Sequence, residues 1–393
     1  MRADKTSGRL APLRLLQLAA FVSVLDRFAM PPMLIAIARD LNVPLTQIVQ
    51  AAGAYYLAYG LMQPVWGMIS DRLGLVRTMR LTLLLASVMT AASALTSTPL
   101  ALGVARALAG ACFAAAVPAG LIYIGDTVPA QRRQREVTDL MIGVALGTAV
   151  ASVGAGILAQ LLSWRIAFIV TGLAALFLVA ALRQLTEPPR KRVHRSLLAP
   201  LLQVALSGPA KLVLTLAFVE GVALLGVLTL LPPAVEAAGS GAAIAGAVTA
   251  AYGVAVVGFA RVVGALSHRL HTSWLIGLGA FAALAACSLA ALSRAPAMAV
   301  IVAALLGLAW AAMHSSLQTW ATEVLPAARA TVVSLFAGSL FIGSAIAALV
   351  TAGAAEADQY GEVFAWAAAL VIPLGLFATW GRARWARPEV DPE

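Results

Sequence analysis

Long apolar runs, separated by short polar segments, recur along the whole chain. A helix needs about 20 apolar residues to cross roughly 30 Å of hydrocarbon. Transmembrane barrels use alternating strands of about ten residues instead, so runs of this length predict helices. We therefore predict an all-α integral membrane protein with twelve transmembrane spans, numbered 1 to 12, at residues 13–38, 45–69, 78–98, 100–124, 137–161, 164–184, 211–233, 242–265, 273–292, 297–320, 330–353 and 361–381.

The composition agrees with lipid as the main solvent. Of the 393 residues, 61% are hydrophobic and 11% are charged, whereas soluble domains are about half apolar and a quarter charged. The two cysteines, Cys112 and Cys287, each lie inside an apolar run. They have no metal-ligand spacing and predict no disulfide.

The chain has 27 Lys and Arg against 17 Asp and Glu, but the basic residues recur between spans rather than forming one patch. This distribution argues against nucleic-acid binding. It is the distribution that orients a membrane protein, because basic residues stay in the cytoplasm. The side with few basic residues has Arg39, Arg165 and Arg294. The other side has Arg2, Lys5, Arg9, Arg14, Arg72, Arg77, Arg80, Arg132, Arg133, Arg135, Arg183, Arg190, Lys191, Arg192, Arg195, Arg269, Arg329, Arg382, Arg384 and Arg387.

An even number of spans places both termini on the same side. The basic side includes both terminal segments, so we predict a multi-pass protein of the plasma (inner) membrane with both termini in the cytoplasm. The even number of spans and the distribution of basic residues therefore agree on this topology.

The two halves of the sequence resemble each other. A shift of 197 residues places 67–73 on 264–270 and Tyr55 on Tyr252. Because this interval covers six spans, the repeats have the same topology, and two parallel six-helix halves around a central site are a transporter plan. We predict an N-terminal half, a cytoplasmic central loop and a C-terminal half at 1–184, 185–209 and 210–393.

The stretch Gly67-Met68-Ile69-Ser70-Asp71-Arg72-Leu73-Gly74-Leu75-Val76-Arg77 resembles the signature loop between helices 2 and 3 of the major facilitator superfamily. Gly67 and Gly74 would allow close helix contact and a sharp turn. The resemblance implies the major facilitator fold and a latch of charges that closes the cytoplasmic side. Its members would be Asp71, Arg72 and Arg77, with Asp126 as a partner of Arg77. Alternatively, these arginines only follow the positive-inside rule, which we favour for Arg80.

Ionisable side chains inside the membrane are costly and therefore predict function. Asp26 and Arg27 lie in span 1, Arg106 in span 4, Glu220 in span 7 and His314 in span 10. The family resemblance implies that these four spans line the central cavity. We therefore expect substrate binding and proton coupling to involve these five residues, although each could instead form a structural pair or a packing contact.

Desolvation favours the neutral form of a carboxyl group, and a nearby cation favours the charged form. Asp26 or Glu220 could therefore load and release a proton, with Arg106 as the modulating charge. Arg106 also resembles the helix 4 arginine associated with proton coupling in antiporters of the family. His314 is a weaker proton candidate. Its face of span 10 also carries Trp310 and Gln318, and Tyr55 and Tyr59 of span 2 either line the cavity or pack between helices.

Two directions of transport remain open. The stretch 317–326 and the glycines of 143–156 resemble drug or sugar exporters, so the leading expectation is proton-coupled, multidrug-type efflux of small organic molecules by antiport. However, Ala151-Ser152 stands where those exporters have Gly-Pro. The pair Asp26-Arg27 resembles the Asp-Arg of organic-anion symporters, in which the arginine would hold a carboxylate. The alternative is therefore proton-coupled import of organic anions.

A receptor or an intramembrane enzyme is a different class of function. The sequence has no nucleophile–base pair, no zinc motif and no phosphate-binding loop, so we predict that the protein is not an enzyme. We expect no cofactor and a proton gradient as the energy source. The expected partners are a small-molecule substrate, protons and the lipid bilayer, and we expect a monomer.

Overall fold

The computed structural model describes residues 12–189 and 198–385. These residues form twelve long helices, with bounds α1 Leu13–Leu41, α2 Leu45–Leu73, α3 Leu75–Leu95, α4 Pro99–Thr127, α5 Gln131–Leu161, α6 Trp164–Gln184, α7 Gly208–Ala237, α8 Ala242–Leu266, α9 Thr272–Leu292, α10 Pro296–Glu323, α11 Pro326–Glu356 and α12 Tyr360–Arg384. The all-α prediction is confirmed.

Eleven of these helices are long and apolar enough to cross a membrane. Helix α2 is the exception. Its 29 residues are long enough to cross a membrane, but its composition is more polar. It contains three glutamines and three tyrosines, and it packs between α4 and α11. This packing buries Gln63 and the three tyrosines, whereas Gln47 and Gln50 are exposed near the start of the helix.

Apart from the start of α5, every helix end lies within about four residues of the end of a predicted span. Helix α5 begins six residues before 137, because the polar segment 131–136 continues the helix and carries an i,i+4 ion pair between Arg132 and Glu136. Within the central stretch 185–209, for which the sequence predicts no span, the apolar segment Leu198–Leu206 forms a short helix before α7. The predicted cytoplasmic charges at 1–11, 190–197 and 386–393 lie outside the described residues.

The packing of the helices repeats at an interval of six. Helix α1 packs on α5, α2 on α4 and α3 on α6, and in the second group α7 packs on α11, α8 on α10 and α9 on α12. The two groups meet where α2 packs on α11 and α5 packs on α8. This interval matches the internal repeat of the sequence, whereas the exact division at 184 and 210 stays a prediction.

The two groups come into close backbone contact where α2 crosses α11. A methyl group on Gly60 would lie 2.7 Å from the carbonyl oxygen of Gly338, and one on Gly338 would lie 3.0 Å from the carbonyl oxygen of Gly60. Both distances are shorter than a carbon–oxygen contact, so each helix needs glycine at this point. The crossing therefore fixes the distance between the two groups near the middle of α2.

We call the end of the bundle where α2 joins α3 the basic end, and the end where α1 joins α2 the opposite end. At the basic end, Gly67 and Gly264 have no atom within 4 Å of an added methyl group. At the opposite end, an ion pair and three hydrogen bonds between described residues join the two groups of helices. These are Arg39–Glu236 at 3.9 Å, the amide of Thr46 to Glu356 at 2.9 Å, the hydroxyl of Thr46 to the carbonyl of Ala352 at 3.2 Å, and the amide of Ala243 to Gln160 at 2.9 Å.

Candidate functional site

Four helices are interrupted near their middles, and they are the four that carry the deep ionisable side chains. A 3₁₀ turn at Pro31–Met33 interrupts α1, and a turn after Phe113 interrupts α4. In α7 and α10 the interruption is a π-helical segment, at Gly221–Leu225 and Trp310–His314. Such segments are rare and often occur at functional sites.

The interruption of α4 leaves carbonyl groups without helical partners inside the membrane. Ser23 of α1 donates its hydroxyl to the carbonyl of Phe113 at 3.1 Å, and the indole of Trp66 donates to the carbonyl of Ala111 at 2.5 Å. Buried backbone groups need such partners in lipid. The neighbouring helices α1 and α2 therefore stabilise this break.

Asp26 of α1 forms a buried ion pair with Arg106 of α4. The guanidinium donates from Nη1 to Oδ1 at 3.1 Å and from Nη2 to Oδ2 at 2.6 Å. The hydroxyl of Thr90 on α3 donates to the same Oδ1 at 3.0 Å. The two charged side chains are 1% and 0% exposed, so both carboxylate oxygens are satisfied without water. Nε of Arg106 is the one polar side-chain atom of the pair that is buried without a hydrogen-bond partner.

Two aromatic rings hold the guanidinium of Arg106 in place. Its central carbon lies 4.6 Å from the ring centre of Tyr55 and 4.7 Å from that of Phe168. These are cation–π distances. The side chains that hold Arg106 therefore come from α1, α2 and α6, all in the first group of helices.

Arg27 follows Asp26 in the sequence but faces different surroundings. Its guanidinium carbon lies 5.1 Å from the ring centre of Phe28, 5.4 Å from Tyr59 and 5.2 Å from Phe341. Its Nε is buried without a hydrogen-bond partner, and within the described ranges no carboxylate pairs with it. Because Tyr59 belongs to α2 and Phe341 to α11, Arg27 lies at the junction between the two groups of helices.

Arg27 and Arg106 line the same small cleft, together with Tyr55, Tyr56 and Pro31. Asp26 neutralises Arg106, so the cleft keeps one uncompensated positive charge. A positive charge in a cleft with apolar walls attracts anions. In this conformation the cleft has a volume of about 10 Å³, which is too small to hold a carboxylate group.

Glu220 of α7 and His314 of α10 form a second buried pair. The imidazole Nδ1 lies 3.1 Å from Oε2 of Glu220, and the glutamate side chain is 0% exposed. Oε1 of Glu220 is buried without a hydrogen-bond partner. The imidazole stacks on the indole of Trp310, with ring centres 3.7 Å apart, and Phe336 lies on another side at 5.7 Å.

A chain of aromatic rings connects the surroundings of Arg27 with the second pair. The ring of Phe28 lies 6.5 Å from that of Tyr252, which in turn lies 6.5 Å from Trp310. Trp310 is the ring that stacks on His314. The five predicted ionisable residues thus form two pairs and one unpaired arginine around a shared aromatic surface.

The predicted gate motif lies at the basic end. Gly74 has φ +101°, which favours glycine, and a methyl group there would lie 2.8 Å from the carboxylate of Glu187. That carboxylate accepts hydrogen bonds from the amides of Val76 and Arg77 at 3.2 and 3.3 Å. Glu187 therefore caps α3, and the sequence analysis missed this role.

The latch itself is not formed in this conformation. Asp71, Arg72 and Arg77 are exposed, and the ion pairs of the described ranges include none of them. Asp126 is also exposed, at the basic end of α4. A latch that forms when the basic end closes stays a prediction.

The possible cavity-lining residues have different positions. Tyr55 lines the cleft, Tyr59 contacts Arg27 and Trp310 covers His314, whereas Gln318 is exposed one turn nearer the basic end. The sequence analysis missed Thr90 and Phe341. Neither position carries a sequence signal, because threonine and phenylalanine are ordinary in apolar helices.

The Major Facilitator Superfamily profile matches residues 16–348. Among characterised relatives, the hexuronate transporter of Escherichia coli (strain K12) is 32% identical over 155 residues, covering 39% of this chain and 36% of that protein. The galacturonate transporter of Dickeya chrysanthemi is 34% identical over 145 residues, covering 36% of this chain and 41% of that protein. The similarity thus spans little more than a third of the relatives' lengths.

Solved structures share the fold over nearly the full length. A crystal structure of the nucleoside transporter NupG has a TM-score of 0.80 at 14% identity, covering 95% of this chain and all of that chain. A bacterial homologue of the human lysosomal transporter Spinster, in an inward-facing and unoccupied conformation, has a TM-score of 0.75 at 18% identity, covering 95% and 98%. The chain therefore belongs to the major facilitator superfamily and is a multi-pass membrane transporter of a small molecule, not an enzyme.

Proposed function

We propose that this protein is a proton-coupled symporter that imports organic anions, and specifically sugar acids, by alternating access. Its relatives support this substrate class, since they are a hexuronate transporter and a galacturonate transporter. A hexuronate is a hexose with one carboxylate. Its transporter needs a cation for the carboxylate and polar or aromatic groups for the sugar ring.

Arg27 is the observation that carries the proposal. It is half-buried at the junction of the two groups of helices, it has aromatic neighbours, and no described carboxylate neutralises it. A guanidinium binds a carboxylate with two parallel hydrogen bonds. Unlike Arg106, Arg27 is therefore available to a substrate anion, and the rings of Tyr59 and Phe341 are suited to stack on a sugar.

Alternating access follows from the contacts at the two ends. With the basic end in the cytoplasm of a plasma-membrane protein, the contacts Arg39–Glu236 and Thr46–Glu356 close the outer side. The conformation described here would release an imported anion inward, and Asp71, Arg72 and Arg77 would close the cytoplasmic side in the opposite state.

Proton-coupled efflux of small organic molecules is less well supported. Arg106, which resembles the arginine of the family's antiporters, is fully engaged with Asp26. The remaining free charge in the cleft is that of Arg27, and it would repel the lipophilic cations that multidrug exporters carry. The relatives' names also mention no drug.

The test is uptake of radiolabelled galacturonate into proteoliposomes with an acidic exterior. We expect the wild-type protein to accumulate the anion and Arg27→Gln to lose affinity by about 10- to 150-fold, the equivalent of roughly 1.5–3 kcal/mol for a hydrogen bond to a charged group. Arg261→Gln is the matched control, because Arg261 is exposed on α8. Uptake by Arg27→Gln at the wild-type affinity would refute the proposal, as would proton release driven by lipophilic cations with no anion uptake.

A further inference from the structure

We infer that the coupled proton is carried by Glu220 and His314 in the second group of helices, while Asp26 stays ionised against Arg106. This inference rests on the proposed function and names the site of its proton. Glu220 and Asp26 are both buried carboxyl groups in mid-membrane, and their bonding partners decide between them.

Asp26 is poorly placed to accept a proton. Its two oxygens accept three hydrogen bonds from Arg106 and Thr90. A proton on either oxygen would displace one of these donors. It would also leave the guanidinium of Arg106, which is 1% exposed, as an uncompensated charge in the membrane. Removing one partner of a buried ion pair costs several kcal/mol.

Glu220, in contrast to Asp26, is well placed to accept a proton. One oxygen faces His314 and the other, Oε1, is buried without a hydrogen-bond partner. Histidine changes its charge near neutral pH. If the imidazole is neutral, the pair carries the negative charge of Glu220, and one added proton makes the pair neutral overall. Protonation here therefore makes the pair itself neutral, whereas protonation of Asp26 would leave a charge within its pair.

No other charged side chain competes for this proton within the described part of the second group. Helices α10, α11 and α12 pack against α7 around Glu220. From α8 the phenol of Tyr252 lies within electrostatic reach. Apart from Glu220 and His314, the ionisable residues of α7, α10, α11 and α12 lie near the helix ends: Lys211, Glu236, Glu323, Arg329, Glu356, Tyr360, Glu362, Arg382 and Arg384.

The charges in mid-membrane explain why anion binding and proton binding would be coupled. Asp26 and Arg106 cancel, so the empty site contains the positive Arg27 and the negative Glu220, with a net charge of zero. A carboxylate bound to Arg27 makes the total negative. A proton on Glu220–His314 restores neutrality, and the neutral loaded site can then cross between states at the least electrostatic cost.

The chain of aromatic rings connects the proposed anion site at Arg27 with the proposed proton site at His314. Phe28 adjoins Arg27, and Tyr252 and Trp310 continue from it to His314. Both members of the pair also border the π-helical segments of α7 and α10. An anion at Arg27 and a proton at His314 thus act on helices of different groups, as alternating access requires.

The first test compares two modes of transport in Glu220→Gln, which mimics the permanently protonated pair. We expect proton-driven accumulation of galacturonate, which for one proton per anion is limited to roughly tenfold per unit of pH gradient, to fall to a ratio of one. Exchange of external for internal galacturonate without a gradient should persist. Glu362→Gln, an exposed carboxylate at the start of α12, should accumulate like wild type.

The second test needs no substrate. Protonated imidazole quenches a stacked indole, so the fluorescence of Trp310 should fall as pH decreases from 8 to 5. His314→Gln and Trp310→Phe should abolish this titration. Glu220→Gln should change this fluorescence titration, because the imidazolium loses its carboxylate partner.

Accumulation by Glu220→Gln at the wild-type ratio would overturn the inference, and so would a fluorescence titration unaffected by His314→Gln. If the wild-type protein takes up no galacturonate, the proposed function fails. In that case the fluorescence titration alone decides whether Glu220 and His314 bind a proton.

Discussion

The two buried ion pairs of this transporter occupy similar depths in the two groups of helices, yet their partners differ. Asp26 faces an arginine that binds it at both oxygens and receives a third hydrogen bond from Thr90. Glu220 faces a histidine at one oxygen, and its other oxygen has no partner. In the first pair both carboxylate oxygens are bonded and only Nε of Arg106 lacks a partner, whereas in the second pair a carboxylate oxygen is unbonded.

The difference shows that the partner, rather than burial itself, decides what a carboxylate in the membrane can do. Arginine keeps its charge at all physiological pH values, so the first pair is neutral only while Asp26 is ionised. Histidine titrates near neutral pH, so the second pair can exist with and without a proton. We expect the first pair to stabilise the structure and the second to serve the transport cycle.

The largest expected effect is on stability, and it separates the two pairs directly. Asp26→Asn leaves Arg106 buried and unpaired, which we expect to lower the free energy of unfolding by roughly 3–5 kcal/mol. Glu220→Gln keeps a neutral partner for a neutral histidine, so its loss should stay within about 1 kcal/mol. Thermal unfolding in detergent measures both.

A double variant tests whether the lost stability comes from the unpaired charge of Arg106 or from the loss of the Asp26 side chain itself. Asp26→Leu combined with Arg106→Met removes both charges and should recover much of the stability that Asp26→Asn loses. Equal stability of Asp26→Asn and the wild-type protein would contradict the structural role of the first pair.

A smaller effect is expected from the helix contact beside the second pair. Gly221 follows Glu220 and contacts the carbonyl of Leu340 on α11. Gly221→Ala would push α7 away from α11, with an expected loss of about 1–3 kcal/mol and a changed Trp310 titration. Gly258→Ala, at a position of α8 with open space, should change neither. An unchanged thermal midpoint for Gly221→Ala would mean that α7 and α11 are less closely packed than described.

The smallest effect concerns the third donor to Asp26. Thr90→Val removes one hydrogen bond but leaves both bonds from Arg106, so we expect a loss of about 0.5–1.5 kcal/mol and unchanged coupling. Thr82→Val is the control, since the hydroxyl of Thr82 bonds the carbonyl of Met79 within its own helix. A complete loss of proton-driven uptake in Thr90→Val, with a normal thermal midpoint, would instead implicate Asp26 in proton transfer.

Much of the fold was predictable because hydrophobic length is a local property. The apolar runs identified the helices that cross the membrane, and the internal repeat matched the interval at which the helices pack. The length of the apolar runs did not predict the helices correctly where a helical segment is polar or where an apolar helix is short. The polar segment 131–136 lengthens α5, and the apolar Leu198–Leu206 is helical but too short to span.

The site was predictable as a set of residues but not as a set of contacts. An ionisable side chain in an apolar run is conspicuous, which identified Asp26, Arg106, Glu220 and His314. Nothing in the sequence indicates that Asp26 pairs with a residue 80 positions away rather than with the adjacent Arg27. Thr90 and Glu187 were missed for the same reason, since their roles depend on the side chains beside them.

The sequence by itself determined that this chain spans a membrane many times and which helices carry charge into it, because both follow from the cost of moving polar groups into hydrocarbon. Only the tertiary structure decided which charges cancel. Adjacent residues of a helix point about 100° apart, so Asp26 turns toward Arg106 while Arg27 turns toward Tyr59 and Phe341. Pairing depends on distances between helices, and those are set by packing rather than by order along the chain.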